Sequence, residues 1–340
     1  MPLDSVEDER KDFLRQIIAL WDKAGIFVVL MAVCAVLAFM TNFLFLSPAN
    51  IINVVRQVSI IGVIAVGMTM VILLGLIDLS VGSIVALTGI LIAALQVRWM
   101  KDCNEMLMLA ATFGIALAAG AACGFFNGFV STRGRIHPFI VTLGTMTIFR
   151  GITMFIGGGR PITGMTGTYR YIGAGEIGKE TFGSGIPVPV VIFLTTVAVA
   201  AFVLRKTAYG RSIYAIGGNQ EAAYLSGIMV DRVKIITFTI LGVLGGLSSL
   251  ILTSRLNSGE MVAGQGYELD VIASVIIGGT SMMGGEGGVI GTLAGALLIG
   301  VIQNGMNLLQ VQPYWQLVVK GAIIIIAVLL DRLKRVLQTT

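Results

Sequence analysis

Charged residues are scarce in this 340-residue chain, at 12% of its composition against roughly 25% in soluble domains. Histidine occurs once, as His137, which excludes a histidine metal cluster, and its position beside Pro138 in a predicted inner loop argues against a Ser/His/Asp catalytic triad. The three cysteines, Cys34, Cys103 and Cys123, are too far apart to indicate a disulfide framework or a metal site. A phosphate-binding loop is also missing, because the glycines at 284–292 (GGEGGVIGT) lack its lysine. We therefore expect no catalytic residue, metal or cofactor in this chain.

Long uncharged runs dominate what is present, and 56% of the residues are hydrophobic. Each run can supply the ~20 apolar residues that a membrane-spanning helix needs. The pattern predicts an all-α polytopic membrane protein with about ten transmembrane helices, including broken or re-entrant segments. The predicted spans are 26–46, 51–74, 80–97, 106–130, 138–157, 187–204, 235–253, 267–282, 289–307 and 313–331.

The loops between these spans carry an asymmetric distribution of Lys and Arg. Fourteen of these residues lie on the side of the N-terminus and seven on the other. The positive-inside rule then places both termini in the cytoplasm. This orientation accounts for the net charge of +5, so we expect no nucleic-acid partner.

The same topology predicts the domain organisation. We expect a cytoplasmic N-terminal segment (1–25) with no secretory signal peptide, because its charges are mixed. A transmembrane domain (26–331) follows, with a cytoplasmic loop at 205–234 and a cytoplasmic C-terminal tail at 332–340.

One acidic residue, Asp78, lies in the apolar stretch GLIDLSVGS at 75–83. A carboxylate in hydrocarbon is costly, so an intramembrane acid indicates a functional site. Asp78 followed by Ser80 is also typical of an N-cap for a helix that begins near Leu79. Both interpretations stay open, and they are compatible.

A second glycine-rich stretch, GGTSMMGGEGG at 278–288, also interrupts the helical pattern. Non-helical backbone within a membrane is tolerated only where protein covers it or where it lines a wet cavity. We therefore predict that the two stretches form helix breaks beside a translocation pathway. The predicted pathway residues are Asp78, Ser80, Ser83, Thr280 and Ser281.

Glycines four residues apart form two lines, one at 120, 124 and 128 and the other at 287, 291 and 295. Such lines let helix backbones approach closely. Packing within the chain is favoured over a subunit or gate interface.

The loop at 205–234 contains GGNQEAAYLSGI at 217–228, which predicts a short helix followed by a turn at Gly227. This is the longest loop on the predicted cytoplasmic side, so it is the expected docking point for a partner. The small side chains of Ala222 and Ala223 suit a close contact.

Several longer motifs, in this order, carry a family resemblance. They are VGMTMVILLGLIDLSVGSIVALTG (66–89), PFIVTLGTMTIFRG (138–151), TAYGRSIYAIGGNQEAAYLSGI (207–228), GYELDVIASVIIGGTSMMGGEGGVIGTLAGALLIG (266–300) and NGMNLL (304–309). Over about residues 45 to 332 the chain resembles the permease subunit of bacterial ribose-type sugar ATP-binding-cassette importers. That group includes ribose, galactose, xylose and arabinose permeases. The motifs of this chain are most similar to those of the ribose branch.

The resemblance implies a multi-pass protein of the bacterial inner membrane that translocates a monosaccharide. It implies a homodimer, a cytoplasmic ATPase subunit that binds ATP and Mg, and a periplasmic sugar-binding protein. Glu221, Ala222, Ala223 and Gly227 match the family's ATPase-coupling motif.

The sequence departs from the family at one point, because Gly75-Leu76 stands where Ser-Gly usually precedes Ile-Asp-Leu-Ser. Ribose, another pentose, a hexose and a polyol therefore all stay open as substrates, and so does the alternative that the departure only repacks the turn.

Two other classes of transporter stay open. An ion-coupled secondary transporter usually places several ionisable groups near the membrane midplane. The candidates here are Asp78, Arg150, Glu268, Asp270, Glu286 and Lys320, and most lie near the ends of predicted spans. A passive channel is the other alternative, but a channel has no need of a docking loop for an ATPase.

Overall fold

A computed structural model describes residues 25–101, 103–178 and 185–339, with side chains described as far as residue 329. The predicted N-terminal segment lies outside the described residues except for Gly25. The helices are α1 (Gly25–Met40), α2 (Pro48–Leu73), α3 (Val81–Ala94), α4 (Glu105–Arg133), α5 (Pro138–Gly157), α6 (Gly167–Ala174), α7 (Val188–Lys206), α8 (Ala208–Gly218), α9 (Gln220–Leu225), α10 (Val230–Leu256), α11 (Tyr267–Ile277), α12 (Val289–Leu308) and α13 (Pro313–Thr339).

Seven of the described helices are long and apolar enough to cross a membrane: α2, α3 with its π-helical end (Leu95–Trp99), α4, α5, α7, α10 and α12. Apolar stretches of α1 and α13 are shorter, at Gly25–Met40 and Pro313–Leu329. The prediction of an all-α polytopic membrane protein is thus confirmed. The number of ten spans and the cytoplasmic placement of both termini stay predictions.

Two short antiparallel ladders join the segments between the helices. The strand β1 (Ile162–Thr163) pairs with β4 (Ser258–Gly259), and β2 (Glu176–Ile177) pairs with β3 (Ile186–Pro187). The first ladder ties the connection after α5 to the end of α10.

The most enclosed helices are α2 and α3, whose apolar windows are 83% and 78% buried. Both are apolar on every side, and such helices lie in the interior of a bundle. By contrast, α4, α5 and α7 are only 28% buried over the same kind of window. Their exposed apolar side chains, such as Phe155 and Phe202, form the surface that suits lipid.

The first glycine line packs α4 against α10 within the chain. A Cβ on Gly120 would overlap the carbonyl of Gly242, and a Cβ on Gly124 would overlap the carbonyl of Phe238. In the second line, Gly291 and Gly295 face the backbone of α11 and its C-terminal end in the same way. The interpretation as packing within the chain is confirmed.

The predicted span 267–282 is wrong as a continuous helix. The helix α11 ends at Ile277, and the chain is non-helical from 278 to 288. A further non-helical stretch, 257–266, precedes α11. Positive φ angles at Gly264 (67°), Gly266 (83°) and Gly279 (83°) lie outside helical geometry and explain these boundaries.

Candidate functional site

The first break separates α2 from α3, and Asp78 lies fully buried within it. Its Oδ1 accepts hydrogen bonds of 2.7 Å from both the backbone N–H and the hydroxyl of Ser80. Its Oδ2 accepts a bond of 3.1 Å from the side-chain amide of Asn127 on α4. Among the described side chains, no Lys or Arg forms an ion pair with this carboxylate. Asp78 thus joins the break to α4 through hydrogen bonds.

The predicted N-cap is displaced along the chain. The helix α3 begins at Val81, later than the expected start near Leu79, and Ser80 occupies the N-cap position. Asp78 binds the N–H of this capping residue, because the chain turns at Gly75 (φ 72°) and the helix starts only after the turn. The carboxylate therefore orders the entry to the helix.

Asn127 is not among the pathway residues predicted from the sequence. Its side-chain amide donates to Asp78 and also to the hydroxyl of Ser80, at 2.7 Å. Its Oδ1 and the hydroxyl of Ser83 are buried without a hydrogen-bond partner in the described part of the chain. A signal was present, since Asn127 stands in a charge-free run, next to the glycine line that faces α10.

The second break, 278–288, is held together by hydrogen bonds between its own residues. The hydroxyl of Thr280 accepts the N–H of Gly288 at 3.3 Å, and the hydroxyl of Ser281 accepts the N–H of Met283 at 3.2 Å. Both Thr280 and Ser281 are buried. Their side chains therefore stabilise the loop backbone.

The two breaks meet at the end of α8, in a cluster that we call the glycine junction: Leu73, Gly75, Gly217, Gly284 and Gly285. The N–H of Gly285 donates to the carbonyl of Leu73 at 2.9 Å. A Cβ on Gly217 would overlap that same carbonyl, and a Cβ on Gly284 would lie 3.0 Å from the carbonyl of Gly217. Three separate segments are thus in backbone contact.

A side-chain bond reinforces this contact. The hydroxyl of Tyr214 on α8 donates to the carbonyl of Gly287 at 2.9 Å. Since α8 leads directly into α9, the predicted docking segment adjoins both breaks.

The short helix expected within 217–228 is present as α9, and Asn219 caps it by accepting the N–H of Ala222 at 2.9 Å. Gly227 has a φ of 83°, which lets the N–H of Ile228 reach the carbonyl of Ala223 at 3.1 Å. The predicted turn at Gly227 is confirmed.

The outward face of α9 differs from the expected one. Ala223 is buried within the chain, whereas Glu221 and Ala222 are exposed. The large apolar side chains that project outward are Tyr224 and Leu225, with 70% and 78% exposure. Ala223 packs inside because α9 is short and folds back against its own loop.

A third break, 257–266, was not predicted as part of the site. It descends beside α3: a Cβ on Gly259 would lie 2.6 Å from the Cβ of Ala93, and a Cβ on Gly264 would lie 2.6 Å from the carbonyl of Gly82. Glycine and polar residues fill this stretch (NSGEMVAGQG), and that composition was the available signal.

Arg150 of α5 holds this third break. Its Nη1 donates to the carbonyl of Met261 at 2.6 Å and to the carbonyl of Ala263 at 2.9 Å. These bonds satisfy two backbone acceptors that no helix or strand satisfies. They also use an arginine whose place inside a predicted span had no explanation in the sequence.

Four charges surround the first turn of α11. Asp270 forms an ion pair of 2.8 Å with Lys320 of α13, and Glu268 lies close enough to Arg150 to attract it. Arg150 and Lys320 lie within predicted spans, as expected, and the fold brings both of them to this turn. Long-range packing, which a linear pattern does not reveal, produces the grouping.

Residues 50–328 match the family described as branched-chain amino acid transport system / permease component. Among curated proteins, the chain is 47% identical to the ribose import permease protein RbsC of Bacillus subtilis over 306 residues, covering 89% of this chain and 90% of that protein. It is 44% identical to RbsC of Haemophilus influenzae over 311 residues, covering 90% and 91%.

It is also 41% identical to the D-allose transport system permease protein AlsC of Escherichia coli over 313 residues, covering 92% of each chain. No solved structure matches the chain significantly.

Proposed function

Because the chain belongs to the branched-chain amino acid transport system / permease component family, we propose that it is the membrane subunit of an ATP-driven monosaccharide importer. The substrate is ribose or a related pentose or hexose. The single observation that carries this proposal is the 47% identity to a ribose import permease over 89% of the chain. The protein is a multi-pass protein of the bacterial inner membrane.

The proposed transporter has three other protein components. A cytoplasmic sugar ATPase binds ATP and Mg, a periplasmic binding protein delivers the sugar, and a second copy of this chain completes the membrane part. Membrane lipid surrounds the assembly. The exposed apolar end of α9, with Glu221 beside it and the turn at Gly227 behind it, supports the proposed ATPase contact.

The test of this function is reconstitution of the permease and its ATPase in vesicles. With ribose-loaded binding protein outside and ATP on the ATPase side, we expect ribose uptake that an uncoupler does not reduce. Uptake that requires a proton or sodium gradient and ignores ATP would contradict the proposal.

The second candidate is an ion-coupled carrier, and one observation favours it. Arg150, Glu268, Asp270 and Lys320 gather around a helix start, as ionisable groups do in secondary transporters. In that case, Asp270→Asn would change the ion dependence of uptake. In an ATP-driven importer, the same variant alters stability or rate without creating or removing an ion requirement.

The proposed ATPase contact leads to a prediction at Leu225. We expect Leu225→Asp to reduce co-purification of the ATPase by about tenfold, since a charge at the centre of an apolar contact costs on the order of 1.4 kcal/mol or more. Permease yield stays normal because the side chain is 78% exposed. The measurement is ATPase pull-down at matched permease amounts, with sugar uptake in parallel.

The matched control is Ile177→Asp, an exposed apolar residue in β2, at the opposite end of α7. It should leave the pull-down unchanged. Substituting the buried Ala223 would disturb the permease itself, so position 225 is the cleaner test. Normal ATPase recovery by the Leu225→Asp variant would place the contact elsewhere.

A further inference from the structure

The three breaks differ in the solvent exposure of their polar side chains. The predicted pathway side chains are all buried, with at most 2% exposure: Asp78, Ser80, Ser83, Thr280 and Ser281. In the third break, Gln265 is exposed and Glu260 is partly exposed, and Glu268 in the first turn of α11 is partly exposed as well. The break that the sequence did not reveal is therefore the one that presents polar atoms outward.

This third break extends from the end of α3 near Ala93 to Arg150, which lies inside the membrane-spanning helix α5. Arg150, which binds it, is about 18 Å from the start of the 20-residue helix α5, at 1.5 Å per residue. Gly264 touches Gly82 in the first turn of α3, so the segment has passed along most of that helix. Non-helical backbone at this depth must be covered by protein or line a wet cavity.

The backbone and the side chains of this segment differ in their hydrogen bonding. Arg150 uses the carbonyls of Met261 and Ala263, and this fixes the course of the backbone. The side chain of Gln265 is exposed, and the partly exposed carboxylate of Glu268 lies beside the backbone of Gly82 in the first turn of α3. Amides and carboxylates are the groups that bind the hydroxyls of an uncharged polar solute.

The charges nearby also indicate the kind of solute. The two acids of the first turn of α11 are balanced by Arg150 and Lys320. Glu260 adds a further acid to the segment, so the local charge does not attract an anion. An uncharged polyhydroxyl molecule fits this environment.

We propose that residues 260–268 form a weak sugar-contact site in the translocation pathway. Gln265 and Glu268 bind hydroxyl groups of the passing monosaccharide, and Arg150 is the positioning residue that holds the segment. Gly82 is required beneath it, because a Cβ there would overlap the carbonyl of Gly264. This inference rests on the proposed transport of a monosaccharide.

The first test is accessibility to water in the assembled permease–ATPase complex. In a background with Cys34, Cys103 and Cys123 replaced by serine, Gln265→Cys is treated with a membrane-impermeant thiol reagent. We expect labelling, and slower labelling while ribose-loaded binding protein and ATP sustain turnover. The controls are Ser274→Cys, which is buried in α11, and Val199→Cys, which is exposed on the apolar surface of α7; neither should label.

The role of Arg150 is tested in the same assay. Arg150→Met should change the labelling rate at position 265 severalfold, and Arg150→Lys should restore it in part, because lysine retains one charged donor for the two carbonyls. A residue that only fills space would give equal effects for both substitutions, and that result would overturn the positioning role.

The second test is transport. Loss of one sugar hydrogen bond predicts about a three- to tenfold fall in uptake for Gln265→Ala and for Glu268→Gln, at matched permease and ATPase amounts. Full uptake by both variants would overturn the proposal. So would a Gln265→Cys variant that resists labelling and instead forms a disulfide between two copies, because the segment would then be a dimer contact.

Different results would overturn the proposed importer function and the proposed sugar-contact site. If the unmodified complex imports no sugar while the thiol introduced at position 265 still labels, the proposed function is overturned but the water-lined segment stands. If sugar uptake is ATP-driven but the thiol at position 265 does not label, the importer stands and this site does not.

Discussion

Gly217→Ala is expected to abolish sugar uptake, whereas Gly218→Ala is expected to retain most of it. A Cβ on Gly217 would overlap the carbonyl of Leu73 and lie 2.5 Å from the backbone N of Gly285. At Gly218, nothing lies within 4 Å of the same atom. Since the obstructing atoms are backbone, the three segments of the junction must separate, at a cost of ~1–3 kcal/mol for overpacking.

The measurement is ATP-driven uptake by the two variants at equal amounts of folded permease, judged by monodisperse elution in detergent. Neighbouring glycines make a matched pair, because both lie at the end of α8 and neither has a positive φ. Tyr214→Phe adds a milder change, since it removes only the bond to Gly287. Equal uptake by the two alanine variants would show that close approach at the junction is not required.

The second large effect is expected at Asp78. Asp78→Leu should lose both folded yield and transport, because three donors of Ser80 and Asn127 lose their acceptor in a buried place. Each stranded donor costs ~1–3 kcal/mol. Asp78→Asn should retain much of the transport, since its amide oxygen can still accept the bonds of Ser80.

The amide of the new asparagine also has a place to donate. The Oδ1 of Asn127 is without a partner among the described residues and can accept it after rotation of the Asn127 amide. Thermal unfolding in detergent and sugar uptake are the two measurements. Normal yield with no transport for Asp78→Asn would contradict this account, because an ionised carboxylate would then be essential.

The continuous spans were the most predictable part of the fold. Helix α4 coincides with a long apolar run, and the start of α5 is marked by a local signal, Pro138. The turn at Gly227 was equally local, because a glycine directly after a short helix is typical of a left-handed turn. Features of this kind depend on a few neighbouring residues.

The internal arrangement of the site was much less predictable. Arg150 binds carbonyls more than a hundred positions away, and the amide of Asn127 meets Asp78 across 49 positions. Gly217 meets Leu73 and Gly285 through close backbone approach, which leaves no periodic pattern in any single segment. A linear sequence shows that these residues are unusual for a membrane span, but it does not show which segments they join.

The glycine junction also limits how coupling loops can be exchanged between related permeases. The end of α8 has no clearance against Leu73 and Gly285, so a grafted loop must bring glycine at position 217 to be accommodated. At the end of the next helix, Tyr224 and Leu225 are exposed and leave most of their surface free of their own chain. If the proposed ATPase contact at Tyr224 and Leu225 is correct, a permease can acquire a new ATPase by changing these exposed side chains while it keeps the glycine at position 217.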